Sequence, residues 1–224
     1  MPLLVIGNKN YSSWSLRPWL LLRQFGVAFE ERRLSLDTDA FHDEIGRWSP
    51  TGRVPALHDD STPNERLLVW DSLAICEYVN ERWLDGRGWP ADIGARAHAR
   101  AAAAEMHSGF GALRTQLPMN CRRVPDRYRG DAAADADIAR VQQLWQQLRD
   151  NHGGMGDFLC GGFSIVDAMF APVVFRFRGY GVALDDNATR YCDTMLALPA
   201  MREWLSAAEV EREHLEATDA LAQA

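Results

Sequence analysis

Residues 8–19 read NKNYSSWSLRPW, a polar loop joining the apolar run Leu3–Gly7 to a second apolar stretch that begins at Leu16. The first run is short, apolar and partly β-branched, which predicts a buried strand. Leu16–Phe25, closed by Gly26, predicts a helix. Pro18 bears on where that helix starts. Proline is tolerated in the first turn, where its missing N–H has no intrahelical partner. Ser15 is therefore the expected N-cap. Ser12 and Ser13 then stay in a strand-to-helix loop, at the sheet edge where α/β folds place ligands. Free N–H groups and partial positive charge at a helix start suit an anion there. Spacing alone leaves turn chemistry and ligand contact both open for these two serines. A nucleophilic serine is poorly supported, because the chain has no G-x-S-x-G elbow. None of its six histidines (42, 58, 98, 107, 152 and 214) is tied to this loop by a motif. A hydroxyl that donates to a substrate's own anion needs no base.

Outward from the loop, Phe29–Leu36 suggests a second strand, and Asp37 or Thr38 offers a cap for a helix running towards Trp48. SPTGRVPALHD (49–59) breaks that helix and opens a third strand. ERLLVWD (65–71) makes a fourth, and SLAICEYVNERW (72–83) is an amphipathic helix. Strands and helices alternating in this way predict an α/β layer over residues 1–83. LDGRGWPADIG (84–94) has the Gly, Pro and Asp content of a linker. Beyond it strand signals vanish. Met106, Phe110, Leu113 and Leu117 share one helical face, as do Ile138, Val141, Leu144, Trp145 and Leu148. Residues 95–210 are expected to be all-helical, and 211–224 a charged, frayed tail.

Composition narrows the function. The net charge of −7 argues against nucleic-acid or anionic-membrane partners, which demand clustered Lys and Arg. Cys76, Cys121, Cys160 and Cys192 show no CxxC spacing, so neither a zinc site nor a dithiol motif is expected. Reduced, mostly buried thiols fit a cytoplasmic protein. MPLLVIGNKN lacks a basic leader, and no stretch approaches the roughly 20 apolar residues that cross a bilayer. Eight scattered tryptophans are expected to fill cores, with one or two left for pockets.

Three stretches carry a family resemblance. YSSWSLRPW (11–19) resembles the serine-containing first loop of cytosolic glutathione transferases, especially the zeta and tau classes and their bacterial relatives. RVPAL (53–57) resembles the segment holding their cis-proline, and WDSLAICEYV (70–79) their acidic-residue-plus-serine glutathione motif. The resemblance implies a thioredoxin-like first domain followed by an all-α domain. It further implies a homodimer, glutathione as cosubstrate, and attack of its thiolate on a small electrophile in detoxification chemistry.

By the same resemblance Ser12 is the catalytic hydroxyl, with Ser13 as the neighbour that substitutes for it. Val54 offers its backbone to the cysteinyl unit, Arg53 pairs with the glycyl carboxylate, and Asp71 with Ser72 holds the γ-glutamyl end. Asp71 shortens the Glu or Gln of many relatives. Trp14 replaces the cysteine of the zeta-class S-S-C-S motif, which weakens an isomerase of the maleylacetoacetate type as an alternative. A non-catalytic interaction module is the other. Arg17 is open between orienting a substrate carboxylate and stabilising the domain interface. FSIVDAMFAPVVF (163–175) resembles the family's N-capping box, with Ser164 and Asp167 as its two ends, a folding element rather than a catalytic one.

Overall fold

The computed structural model describes residues 1–61, 67–125, 127–154 and 156–220. Four strands, β1 (Leu3–Ile6), β2 (Glu30–Arg33), β3 (Ala56–Asp59) and β4 (Leu67–Trp70), form one sheet in the order β2-β1-β3-β4. The first two residues of the expected fourth strand, Glu65 and Arg66, lie outside the described residues. β1 runs parallel to β2, across the crossover helix α1 (Ser13–Gln24), and β3 is antiparallel to both β1 and β4. α2 (Asp39–Ile45) and α3 (Ser72–Trp83) complete a thioredoxin-like layer.

The register locates the working edge. Val5 pairs with Ala56, and Ala56 with Trp70. The end of β1, the start of β3 and the end of β4 therefore share one rim. Three loops that are far apart in sequence leave the sheet side by side there.

α1 begins three residues before the expected start. Ser12, not Ser15, occupies the N-cap position, and its side chain makes no capping bond. Ser15 lies inside the helix, where its Oγ accepts the Gly7 N–H at 3.1 Å and so ties helix to strand. Pro18 consequently sits beyond the first turn, at the cost of one backbone bond. Packing overrides that local cost, since every residue from Leu16 to Leu22 is buried. α2 is capped by Thr38, whose Oγ1 accepts the Phe41 N–H at 3.1 Å.

The remainder is helical: α4 (Ile93–Ser108), α5 (Gly111–Gln116), α6 (Ala132–His152), α7 (Ile165–Gly179), α8 (Asp186–Ala197), α9 (Pro199–Glu209) and α10 (Glu216–Ala220). The single helical face expected from Met106 to Leu117 is in fact split. Phe110 adopts φ +60 between α4 and α5, yet all four apolar residues stay buried. α6 buries the five residues its periodicity indicated. α7 is apolar almost all round and correspondingly buried almost all round. One continuous core runs from Leu4 and Ile6 in the sheet, through α1, to Trp204 in α9. Trp19 meets Trp204 edge-on at 5.0 Å. All four cysteines are free thiols, and burial pushes each of them upward in pKa.

Asp167, at the start of α7, binds more than its helix. Its Oδ2 accepts the Ser164 N–H at 2.9 Å, which is its half of the capping box, and also the Ser164 Oγ–H at 3.2 Å. Its Oδ1 accepts the Leu159 N–H and the Tyr191 hydroxyl at 3.1 and 3.2 Å. Burial pushes this carboxyl up to about 6 despite those four bonds. Asp167→Ala is expected to lower unfolding free energy by about 3 kcal/mol or more in urea titrations, because it orphans four donors. The sign of the pH dependence follows from the raised pKa. The group's contribution is full below its unfolded value and declines as pH rises through about 6, so the gap between wild type and variant narrows over that interval.

Candidate active site

Two adjoining clefts open at the shared rim. The first, about 330 Å³, is lined by Arg53, Val54, Pro55, Asp71 and Ser72, with Thr51, Trp70, Trp14 and His107. The second, about 400 Å³, is lined by Ser12, Ser13, Arg53 and Val54 on one side. Tyr11, Met119, Arg176, Leu215 and Thr218 are among the residues on its other walls. Arg53, Val54 and Trp14 belong to both, so the clefts form one groove with Trp14 as the partition. All six residues singled out in the sequence lie along it. Trp14 and Trp70, at 36% and 48% exposure, are the two tryptophans left over from the cores.

At the first cleft's floor, Asp71 caps α3. Its Oδ1 accepts the Leu73 and Ala74 N–H groups at 2.9 and 3.2 Å. Its other oxygen meets His107 Nε2 at 3.1 Å. Asp71 holds φ +75, a conformation non-glycine residues rarely adopt, which costs of order 1–3 kcal/mol and is typical of ligand clamps. One oxygen of Asp71 thus serves the helix start and the other faces His107 in the cleft. Ser72 Oγ accepts from Arg17 Nη1 at 3.3 Å, which leaves its own proton free to donate. The Val54–Pro55 bond is cis. The Val54 backbone N–H and C=O carry no hydrogen bond among the described residues.

At the second cleft, Ser12 Oγ donates to Ser15 Oγ at 2.7 Å. With the Gly7 N–H this makes a relay running from strand to loop. Ser13 Oγ has no partner among the described residues. No imidazole bonds either serine there. His107 reaches the loop only through an edge-on contact with Trp14 at 5.4 Å. Burial, then the nearby Arg17 and Arg114, hold His107 below its ordinary pKa, against the pull of Asp71.

Trp14 is flanked by two guanidiniums, Arg17 at 4.3 Å and Arg114 at 4.6 Å from its ring centre. Arg17 is wholly buried, its Nε lacks a partner, and burial beside Arg114 and Arg176 pulls it down to about 9. The structure thus gives Arg17 a contact with Ser72 at the cleft and a place at the junction of the two halves. The sequence singles out Arg17 and leaves His107 without a motif; it gives no signal for Arg114 or Arg176. The last three come from α4, α5 and α7, where nothing local separates a cleft residue from a surface or core one.

Over its described part, residues 211–220, the C-terminal segment is not the frayed tail expected. Glu211 accepts the Lys9 and Asn10 N–H groups at 2.7 and 3.0 Å. Asp219 accepts the Tyr11 hydroxyl and Asn120 Nδ2. Arg122 donates to the Glu211 and Glu213 carbonyls. This strap brings Leu215 and Thr218 over the serines.

Comparisons with known proteins concur on the family. The chain matches the model of the glutathione S-transferase N-terminal domain at residues 11–82 and that of the C-terminal domain at 96–207. It is 22% identical over 204 residues to glutathione S-transferase GstB of Escherichia coli (strain K12), covering 90% of this chain and 97% of that protein. A Caenorhabditis elegans protein described as "probable maleylacetoacetate isomerase" is 24% identical, covering 89% and 90% of the two chains. A crystal structure of a glutathione transferase homologue from Burkholderia gl BGR1, with bound glutathione, shares the fold at TM-score 0.69 and 23% identity over 94% of this chain and 99% of that one.

Arg122→Ala should release the strap. Amide hydrogen exchange across Glu216–Ala220 is expected to accelerate at least tenfold, while exchange in α7 stays slow. Unchanged protection would show that the strap is held by its apolar side chains instead.

Proposed function

The chain belongs to the glutathione S-transferase family, and we propose that it binds glutathione along the groove and presents its thiolate to a small electrophile in the second cleft. The observation that carries this reading is the convergence of Asp71–Ser72, Val54–Pro55 and Ser12–Ser13 on one rim. Asp71 Oδ2 receives the γ-glutamyl ammonium, and the Ser72 hydroxyl and the N-terminus of α3 receive the adjoining carboxylate. The unpaired backbone of Val54 takes the cysteinyl amide, and Arg53 the glycyl carboxylate. The sulfur then points towards the start of α1.

A free thiol has a pKa of roughly 8.5, and each unit of depression needs about 1.4 kcal/mol of preferential thiolate stabilisation. One hydrogen bond to the anion supplies about 1.5–3 kcal/mol, and the helix terminus about 0.3–1 more. Those terms bring the thiol to neutrality or below. Ser12 turns its proton from Ser15 to the sulfur, and Ser15 in turn donates to Ser12. The hydroxyl keeps its proton throughout. With Ser13 unpartnered beside it, a second donor stands ready at the same anion. No helix of the described residues is long and apolar enough to cross a membrane. We take the protein to be a cytoplasmic homodimer, as the resemblance implies. With Trp14 in place of a thiol, transfer is the reading preferred over isomerisation.

Ser12→Ala is expected to lower kcat/KM about 10- to 150-fold at neutral pH with little change in glutathione affinity, because the lost bond favours the thiolate alone. Asp71→Ala should instead weaken glutathione binding in calorimetry. Ultraviolet titration of the bound thiol reads the same effect directly, rising by one to two units in Ser12→Ala. If Ser12→Ala is silent and Ser13→Ala crippling, the donor is the neighbouring serine. If the wild-type chain fails to bind glutathione, the non-catalytic module is the correct reading.

A further inference from the structure

The second cleft carries a charge that the glutathione reading does not use. Arg176, on α7, is 4% exposed and lines this cleft. Its Nη1 donates to the carbonyls of Arg114 and Leu117, at the end of α5. Nε and Nη2 have no acceptor among the described residues. No carboxylate there lies within ion-pair distance of it. Burial, then the like charge of Arg114, pull its pKa down to about 10, so it stays cationic at neutral pH. A buried guanidinium with no counter-charge is costly unless something anionic arrives. The other charged groups of the cleft, Arg53 and Asp37, are both exposed. Apolar Met119, Leu215 and Pro118 share the walls. Arg17, with its unpartnered Nε behind Trp14, adds positive potential from the rear.

The geometry points to an electrophile that bears a carboxylate, held by Arg176 while its apolar body rests on Met119 and Leu215 near the sulfur. This rests on the reading of the groove as a glutathione site and names the class of its second substrate. A fork of two parallel N–H donors suits a planar carboxylate. For an aryl chloride the step is ordinary substitution: the thiolate sulfur forms a bond to the ring carbon, the carbon–chlorine bond breaks, and chloride leaves with its electron pair.

The test uses 4-chloro-3-nitrobenzoate and 4-chloro-3-nitrobenzamide, with each rate divided by its uncatalysed rate with free glutathione. The wild-type chain should favour the carboxylate about tenfold or more, and Arg176→Gln should bring that ratio close to one. Thr218→Glu, on the strap facing the same cleft, keeps Arg176 in place and should also collapse the preference, which covers failure of the first variant to fold. A ratio of one or less in the wild type overturns the proposal, as does a preference that survives in a folded Arg176→Gln or in Thr218→Glu. Glutathione binding is measured separately by calorimetry. If it is absent, the transferase reading fails, and the anion site is then read by thermal shift with benzoate against benzamide. Stabilisation by benzoate alone, lost in Thr218→Glu, supports it; equal or no stabilisation overturns it.

Discussion

The burial of α1 on nearly every side is the constraint on which the rest of this molecule depends. A helix with one wet face can slide or tilt against its sheet. This one packs against α3, α7 and α9, with Trp19 edge-on to Trp204. Lys9 lies over both rings, its carbonyl accepts the Trp204 N–H, and its ammonium pairs with Glu31 at 2.9 Å. The loop that carries Ser12 and Ser13 is therefore held at both ends by the apolar core. Its hydroxyls are aimed without being able to wander. Serine chemistry of the hydrogen-bonding kind needs this, because a donor that has to be ordered on binding loses much of its advantage in conformational entropy.

The second constraint is electrostatic. The chain is acidic overall, yet Arg53 and Arg176 line the groove, and Arg17 and Arg114 flank its partition residue, Trp14. Acidic side chains are spent elsewhere, on helix caps such as Asp92, Asp131 and Asp185, and on the strap. Of the groove's two acids, Asp37 is exposed, and Asp71 lies in the first cleft, one oxygen on the start of α3 and the other facing His107, where the glutathione reading places the ligand's ammonium. The resulting field favours a ligand with more than one negative group, and the desolvated guanidiniums strengthen it where bulk water would screen it. Glu213 shows the opposite balance. Burial alone would raise its pKa, but hydrogen bonds from Arg33 and Ser35 and the charge of Arg33 outweigh it and hold the carboxyl down at about 2. The strap's anchor therefore stays charged well into the acid range.

Strand-and-helix order was legible because it is written in local patterns. The alternating elements of the first half, the Thr38 cap, the Asp71–Ser72 start of α3 and the buried face of α6 all follow from periodicity and capping chemistry. Misreadings arose wherever a distant contact overruled a local rule. Pro18 argued for a helix start at Ser15, but the Gly7 N–H recruited that serine and the core supplied more than the lost backbone bond. Phe110 carried a helical spacing that Gly109 and a positive φ interrupt, because the chain has to turn there to bring α5 against α6. The last residues look unstructured by composition. Among the described ones, Glu211 is in fact matched to the N–H groups of Lys9 and Asn10, some two hundred positions earlier.

The candidate site divides along the same line. Ser12, Ser13, Arg53, Val54, Asp71 and Ser72 stand in short stretches next to strand ends and helix starts, so their chemistry could be read in place. His107, Arg114, Arg176, Leu215 and Thr218 occupy ordinary helical positions in the second half. Which way a helical side chain faces depends on what the helix packs against, and that is settled by the shared core rather than by neighbours in sequence. The linear chain thus specified the three loops that leave one rim of the α/β sheet side by side. The docking of the helical half onto that rim specified the groove's second wall, its positive charge and its cover, because only there do residues a hundred positions apart come within reach of the same small molecule.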